Sequence, residues 1–475
     1  MNHPAGARAE VPTVLVIFGI TGDLAHKKLI PAIYSLYAGQ SLPKVFRFIG
    51  FSRSIGSKDD LDRIVNSALD IRNDLKDSSR ASFLKLGTFL QGNFNEEDSY
   101  RRLHEQLEEI DASIGQCTNK LFYLAVPPQL YETICKNLAA SGLTVPCDDR
   151  NGWTRVLVEK PFGNNLKTAK KLDALLGKLF REEQIFRIDH YLAKETVQNI
   201  LAFRFFNATF EPIWNAKHIE RVEIKLHEKN GIDDRAEFYN TVGALRDVGQ
   251  NHMLQMLAII AMDRPKTLTP DAIREHRAEV FESLKILGGR AFAQSFDRGQ
   301  YEGFRNELGI PPDSTTETYF RLKVFINNKR FSGVPFILEA GKAMAQSRVE
   351  VCVTFKNIHC LCNKGSSCVH ANRLVFRIQP DEGISISLWV KRPGLTDELA
   401  QETLSFSYEK ALDSSRAADA YARLLYDCIR GDQTLFASTR EVLASWKFIT
   451  PILVNIEKVP LMQYPRASEG PSGAL

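Results

Sequence analysis

The sequence predicts two domains of different grammar, an α/β domain followed by a larger α+β domain. Three observations predict it. The chain has 475 residues, beyond the size at which one core keeps growing. Its first third alternates short apolar runs with helical patterns, as a doubly wound parallel sheet does. Past about residue 195, strands alternate apolar with charged residues and are joined by loops and hairpin-like turns, which predicts a mainly antiparallel sheet with helices laid on it. The first domain is set at residues 13–185 and the second at 186–475, with residues 1–12 as a disordered lead-in.

The elements follow in order. Val14–Phe18 is a continuous apolar run ending at a glycine, which reads as a buried parallel strand. A helix is predicted over Lys27–Tyr37 and a second strand over Lys44–Ile49. Phe89–Asn93, Leu121–Val126 and Arg155–Val158 read as further strands, with helices over Tyr100–Ile110 and Gln129–Ala140 between them. In the second domain, Ile219–His227 places Ile219, Val222, Ile224 and Leu226 between charged residues, so it reads as a half-exposed strand. Tyr319–Ile326, Val349–Phe355, Leu374–Ile378 and Ile384–Val390 behave alike. The last ten residues read as frayed.

Composition excludes several classes. A net charge of +4 with no basic run argues against nucleic acid as a partner. No apolar stretch approaches the roughly 18 residues of a membrane span. The first residues lack the apolar core of a secretory signal, so a cytoplasmic protein is expected. Of eight cysteines, Cys117, Cys135, Cys147 and Cys428 are solitary and expected to be reduced, buried thiols. Cys352, Cys360, Cys362 and Cys368 crowd together. The stretch HCLCNKGSSCVH, residues 359–370, offers three cysteines and two histidines that could ligate zinc. It matches no standard finger, and the preferred reading is a reduced, redox-sensitive loop with no metal.

Two stretches carry chemistry. In VLVIFGITGDLAHKK a strand runs into Gly19 and Gly22 and then a helix. Lacking side chains there, the backbone can turn sharply and approach a pyrophosphate at a helix N-terminus. Two glycines alone fit a plain strand–turn–helix equally well. The second strand sharpens the reading, because it ends in Arg53 where an NAD-specific fold carries an acid. A guanidinium matches a 2′-phosphate, so NADP is expected in a Rossmann-like domain. The alternative is a surface arginine.

The other stretch is RIDHYLAKE, at the domain boundary, where clefts tend to form. His190 and Lys194 are four apart and would share a helix face with Tyr191 beside it, a grip for a phosphate. Upstream, VLVEKPFG delivers Glu159 and Lys160 to a strand's carboxyl end. Lys160 reads as a ligand contact or as a solvated loop lysine. Asp189 is left needing a partner. RDVGQNHMLQML offers one, since Asp247, Asn251 and His252 open an apolar helix. An imidazole is the usual general base near neutral pH, although a histidine beside a core helix is more often structural.

These residues, with FYLAVPP, GVPFILEAGKA, IQPDEGI and YPRASEGP, resemble the glucose-6-phosphate dehydrogenase family from about residue 13 to the C-terminus. The resemblance implies oxidation of D-glucose 6-phosphate to 6-phospho-D-glucono-1,5-lactone with hydride transfer to NADP, the first oxidative step of the pentose phosphate pathway. It implies that His252 is the base and that Asp189 orients it. His190, Tyr191 and Lys194 would hold the phosphate. Lys160 would bridge substrate and cofactor, Glu228 and Asp247 would accept from sugar hydroxyls, and Lys342 would reach the substrate. Gly19, Thr21, Gly22, Asp23, Leu24 and Arg53 would form the cofactor end. A homodimer or homotetramer is implied as well. The chain departs from the pattern at Ser347, where many relatives have arginine, which leaves Arg348 without a role. It departs again at Asp234–Tyr239, where relatives have small residues before the tyrosine. A silent NADP-binding sensor and an enzyme for another hexose phosphate are the rival readings.

Overall fold

The computed structural model describes residues 11–54, 56–71, 79–147, 152–286, 292, 294–357, 370–411 and 419–472. The chain forms two compact units. One consists of Met1–Ala193, Thr267–Arg274 and Ala418–Leu443, and the other of Lys194–Lys266, Glu275–Ala417 and Ala444–Leu475.

The first unit carries β1 (Thr13–Phe18), β2 (Phe46–Ser52), β3 (Gly87–Gln91), β4 (Asn119–Leu124), β5 (Thr154–Val158) and β6 (Ile185–Ile188). Among the described residues its sheet has seven strands, in the order Phe436–Ala437, β6, β5, β4, β1, β2, β3. β1 to β6 pair in parallel, and Phe436–Ala437 runs antiparallel to β6. Every residue of β1 and β4 is buried, which is why Val14–Phe18 and Leu121–Leu124 read as unbroken apolar runs; Asn119 and Lys120 are buried polar residues at the start of β4. The order turns back between β1 and β4, so connections leave these neighbours in opposite directions. That opens a crevice at their carboxyl ends.

The second unit carries β7 (Ile219–His227), β8 (Phe296–Tyr301), β9 (Tyr319–Ile326), β10 (Phe336–Gly341), β11 (Arg348–Phe355), β12 (Arg373–Gln379), β13 (Gly383–Lys391), β14 (Leu399–Ser407) and β15 (Leu461–Tyr464). Their order is β14-β13-β12-β11-β7-β10-β9-β8-β15, with the short strand Leu284–Lys285 on β9. Most neighbours are antiparallel. β7–β10 and β8–β15 are parallel. The helix Leu254–Ala261 is buried throughout. Its last turn is closed by other segments: Arg204 donates to the carbonyls of Ile259 and Met262, both at 2.9 Å, and Trp214 Nε1 donates to that of Ile260 at 2.8 Å. These side chains satisfy carbonyls that a helix end leaves open. Burial lowers the Arg204 guanidinium to about 9. Among the described residues no helix is long and apolar enough to cross a membrane.

Three expectations need correction. The last ten residues, as far as they are described, are not frayed, since Ala467 N donates to Ala343 O and Ala345 N to Ser468 O, both at 2.8 Å. His190 and Lys194 do not share a helix face, because residues 190–194 form a turn and the helix begins at Glu195. The cause is local. Asp189 Oδ1 accepts the Tyr191 amide at 3.0 Å and its carbonyl accepts the Leu192 amide at 3.1 Å, an Asx turn that competes with helix. Cys117 and Cys147 are not reduced, buried thiols but form a disulfide, with Cα atoms 6.2 Å apart. Gly152 makes room for it, since a Cβ there would stand 3.0 Å from the Cβ of each cysteine. Cys135 and Cys428 are buried free thiols, as is Cys352 on β11. The cysteines at 360, 362 and 368 lie outside the described residues.

Candidate active site

The crevice predicted by the strand order is present in the first unit. A cavity of about 530 Å³ is lined by Gly19, Thr21 and Gly22 after β1, by Ser52, Arg53 and Ser54 at the end of β2, and by Phe94, Ala125, Val126, Pro127 and Leu130. Gly19 has φ +84°, and a Cβ on it would meet Ala125 O at 2.5 Å. The bare backbone is therefore a spatial requirement. Gly22 N donates to Gly19 O at 2.9 Å, and His26 N donates to Gly22 O at 3.0 Å as the helical run begins. This is a cradle for an anion at a helix start. At the β2 end, the hydroxyls of Thr21 and Ser52 lie 3.2 Å apart and those of Ser52 and Ser54 3.1 Å apart. Arg53 is exposed beside them, and Gln91 donates to its carbonyl at 3.2 Å. No carboxylate is among the residues lining this cavity. Asp23 and Leu24 are not among them either; Asp23 is 88% exposed and pairs with Lys27.

At the ends of β5 and β6 the same unit gathers acids and phenols. Glu159 is buried, and its carboxylate accepts from the Tyr123 hydroxyl at 2.6 Å. Tyr131 donates to its carbonyl at 3.0 Å. Burial pushes the Glu159 carboxyl up to about 7; the Tyr123 hydrogen bond and the Lys160 charge oppose this, and the Asp189 charge adds to it. The peptide between Lys160 and Pro161 is cis. Asp189 is buried, at 3% exposure. The His190 ring lies 4.8 Å from that of Tyr191 and stacks at 6.2 Å on Tyr421. A carboxyl raised from 4.5 to about 7 binds a proton in the fold that the unfolded chain has released. This group's contribution therefore falls as pH rises from about 4.5 to about 7 and stays low above that. Glu159→Gln keeps an acceptor for Tyr123 and cannot ionise. Relative to it, the wild type is expected to lose stability over that window, by up to about 3 kcal/mol. Thermal unfolding of both proteins at pH 5 and pH 8 checks this.

In the second unit the candidate base sits on a built distortion. The helix Ala236–Ala244 is broken at Gly243, which has φ 71° and ψ 169°. A Cβ there would lie 2.5 Å from Glu317 Oε1. Past the break the chain winds as a wide helix, Leu245–Met253, before narrowing to Leu254–Ala261. Such π segments are frequent at functional sites. Glu317 Oε1 accepts the Leu245 amide at 3.1 Å, so a strand-side carboxylate caps the new helix start. Burial holds the Glu317 carboxyl above its usual range. Asp247 and His252 lie on this wide segment, at 7% and 1% exposure. The His252 amide donates to Asn251 Oδ1 at 2.6 Å, and Asn251 Nδ2 donates to Asp247 O at 3.1 Å.

Lys342 and Glu228 form an ion pair just past the ends of β10 and β7. The Lys342 ammonium stands 5.5 Å from the centroid of the Tyr239 ring. Tyr239 is buried, and its phenol is held well above its ordinary pKa by that burial and by the charges of Asp247, Glu317, Tyr464 and Glu228. Lys194 is half-buried at the start of its helix.

Of the residues expected from sequence, Gly19, Thr21, Gly22 and Arg53 share one cavity, and Glu159 feels the charges of Lys160 and Asp189. Glu228 and Lys342 touch. Ser52, Ser54, Ala125, Tyr239, Glu317 and Tyr421 were not anticipated. For Ser52 and Ser54 a signal existed, since they flank Arg53 in GFSRS.

Comparison with known proteins adds the rest. Residues 16–199 match the family described as glucose-6-phosphate dehydrogenase, NAD binding domain, and residues 201–475 match glucose-6-phosphate dehydrogenase, C-terminal domain. The glucose-6-phosphate 1-dehydrogenase of Borreliella burgdorferi is 38% identical over 96% of this chain and 95% of its own. The glucose-6-phosphate 1-dehydrogenase 6, cytoplasmic, of Arabidopsis thaliana is 37% identical over 97% of this chain and 89% of its own. A solved structure of glucose-6-phosphate dehydrogenase in complex with its substrate glucose-6-phosphate superposes with a TM-score of 0.90 at 32% identity, covering 98% of this chain and 96% of that one.

Proposed function

The chain belongs to the glucose-6-phosphate dehydrogenase family and oxidises glucose 6-phosphate with a nicotinamide dinucleotide, and from that premise we propose that the dinucleotide is NADP and that the site residues act as follows. Gly19, Thr21 and Gly22 take the pyrophosphate against the helix start. Arg53, with the hydroxyls of Ser52 and Ser54, takes the 2′-phosphate. When bound, the nicotinamide supplies the hydride acceptor. His252 accepts the proton of the C1 hydroxyl, and Asp189 orients its imidazole and stabilises the protonated form. His190, Tyr191 and Lys194 hold the 6-phosphate. Lys160 spans substrate and cofactor, while Glu228, Asp247 and Lys342 set the sugar. The observation that carries the cofactor reading is the β2 end of the cavity, where an arginine between two serines stands and no carboxylate lines the wall. A carboxylate there would repel a phosphate and grip a ribose hydroxyl instead.

The test is the rate of nicotinamide reduction with glucose 6-phosphate and either cofactor. Charge-assisted bonds to phosphate are worth about 1.5–3 kcal/mol, so Arg53→Ala is expected to raise the KM for NADP by about 10–100-fold and that for NAD by less than about threefold. Equal loss toward both cofactors removes Arg53 from this role. The same reading makes the protein a cytoplasmic homodimer or homotetramer, as the Arabidopsis relative's name supports for location. Light scattering and cell fractionation check those two points.

A further inference from the structure

β7 and β10 are a parallel pair in a sheet where most neighbours are antiparallel. Parallel strands end at the same edge, so His227 at the end of β7 lies opposite Gly341 at the end of β10. The next residue on each strand is one of the proposed substrate contacts, Glu228 and Lys342. Their ion pair and the Glu228 amide's bond to Gly341 O, 2.9 Å, hold the two ends side by side.

Diagonally across the pair the same strands are joined through their side chains, since His227 stands opposite Gly341 and Glu339 opposite Lys225. His227 Nε2 donates to Glu339 Oε1 at 2.8 Å, and both residues are buried, at 2% and 7% exposure. On the far side, Arg321 of β9 brings its Nε within 3.7 Å of Glu339 Oε2. Burial alone would raise the Glu339 carboxyl. The His227 hydrogen bond and the charges of His227, Lys225 and Arg321 outweigh that and hold it below its usual range. A buried imidazole–carboxylate pair adds little net stability over an apolar pair of the same shape. What it does add is direction, because such a bond weakens steeply when bent or stretched.

We propose that His227 and Glu339 are a positioning pair, a buried clasp between β7 and β10 that fixes the spacing of Glu228 and Lys342 where they meet the sugar phosphate. This rests on the reading of Glu228 and Lys342 as substrate residues. The pair touches no reacting atom. Its effect falls on substrate affinity, since Glu228 and Lys342 are read as contacts to the sugar and not as groups that move the proton or the hydride.

The test compares four full-length variants in steady-state kinetics with glucose 6-phosphate and NADP, with thermal unfolding alongside. His227→Leu/Glu339→Leu removes both members of the buried pair together, so neither faces an empty partner, and Arg321, 21% exposed, can turn its guanidinium to water. This double variant is expected to raise the KM for glucose 6-phosphate about tenfold, with kcat within about twofold and the KM for NADP unchanged. Glu339→Gln, which still bonds to the imidazole, is expected to stay within about threefold of wild type. Lys342→Ala reports on the substrate contact itself, and His227→Leu alone, which leaves Glu339 the charges of Arg321 and Lys225, reports the same geometry should the double variant unfold. If Lys342→Ala raises the sugar KM and both leucine variants leave it alone, the clasp is refuted and the substrate reading stands. If Lys342→Ala leaves it alone as well, the substrate reading fails and the clasp falls with it. A parallel drift of every constant, NADP included, reduces the pair to a packing contact and overturns the proposal.

Discussion

His252→Asn lowers kcat by about 10²–10⁴, the usual worth of a general base, while the Kd for glucose 6-phosphate moves by no more than a few-fold. That range corresponds to about 3–5.5 kcal/mol of barrier. An imidazole at 1% exposure on the wide helical segment Leu245–Met253 has been taken out of water. The segment is set in place by long-range contacts that a core helix would not need: the Glu317 cap on the Leu245 amide, and Gln250 Nε2 donating to Ser445 Oγ at 2.8 Å. Asparagine is smaller, polar and close to the δ side of the ring, so the fold survives and the proton acceptor is lost. Stopped-flow single turnovers with calorimetric binding separate chemistry from affinity. Asp189→Asn is expected to lower kcat too, with an altered pH profile, because the carboxylate no longer favours the protonated ring. Wild-type turnover in the His252 variant would remove the base assigned here.

Much of the fold was legible because burial on both faces or on one face leaves a period in the chain. β7 and β9 came out to the residue, since Ile219, Val222, Ile224 and Leu226 alternate with charged neighbours, and β1 announced itself by an unbroken apolar run. β8 was missed for the opposite reason. It reads FDRGQY yet is largely buried. Arg298 Nε donates to Val459 O at 2.8 Å and Gln300 Nε2 to Thr316 O at 3.0 Å. Polar residues satisfied by distant carbonyls leave no hydrophobic period to read. β6 has four residues, Ile185–Ile188, too few to show a pattern.

The site divides along the same line. Local chemistry such as Gly19–Gly22 or Arg53 could be read from neighbours in sequence. The Asx turn at Asp189 could have been, had the competition of a short acid with helix been weighed at RIDHYLAKE. Contacts that close over long spans could not. Glu317 beneath Gly243, Tyr421 on His190 and the Cys117–Cys147 bond join residues whose spacing alone has no meaning.

Gly19→Val carries the second large effect, and it falls on stability and cofactor binding together. Three backbone bonds hold this turn: Gly19 N to Phe51 O at 3.0 Å, Gly22 N to Gly19 O at 2.9 Å, and Ala125 N to Phe18 O at 3.0 Å. The colliding partner, Ala125 O at 2.5 Å from an added Cβ, is itself backbone, and Val126 Cγ1 stands at 2.9 Å. The Val126 methyl can turn aside, but the Ala125 carbonyl cannot move without straining the β2–β1–β4 ladder. At φ +84° a β-branched side chain adds conformational strain of about 1–3 kcal/mol before any clash is counted. The expected loss is about 3 kcal/mol or more of stability, with NADP binding weakened at least about 100-fold. Gly22→Ala is the matched control for stability. Its Cβ meets Gly19 O at 3.2 Å and Ala125 O at 3.8 Å, with no positive φ, so a small shift accommodates it. Thermal unfolding and fluorescence titration with NADP rank the two. If Gly19→Val binds NADP as tightly as the wild type, the pyrophosphate does not lie against the Gly19 turn and the cavity between β1 and β4 is not the cofactor's.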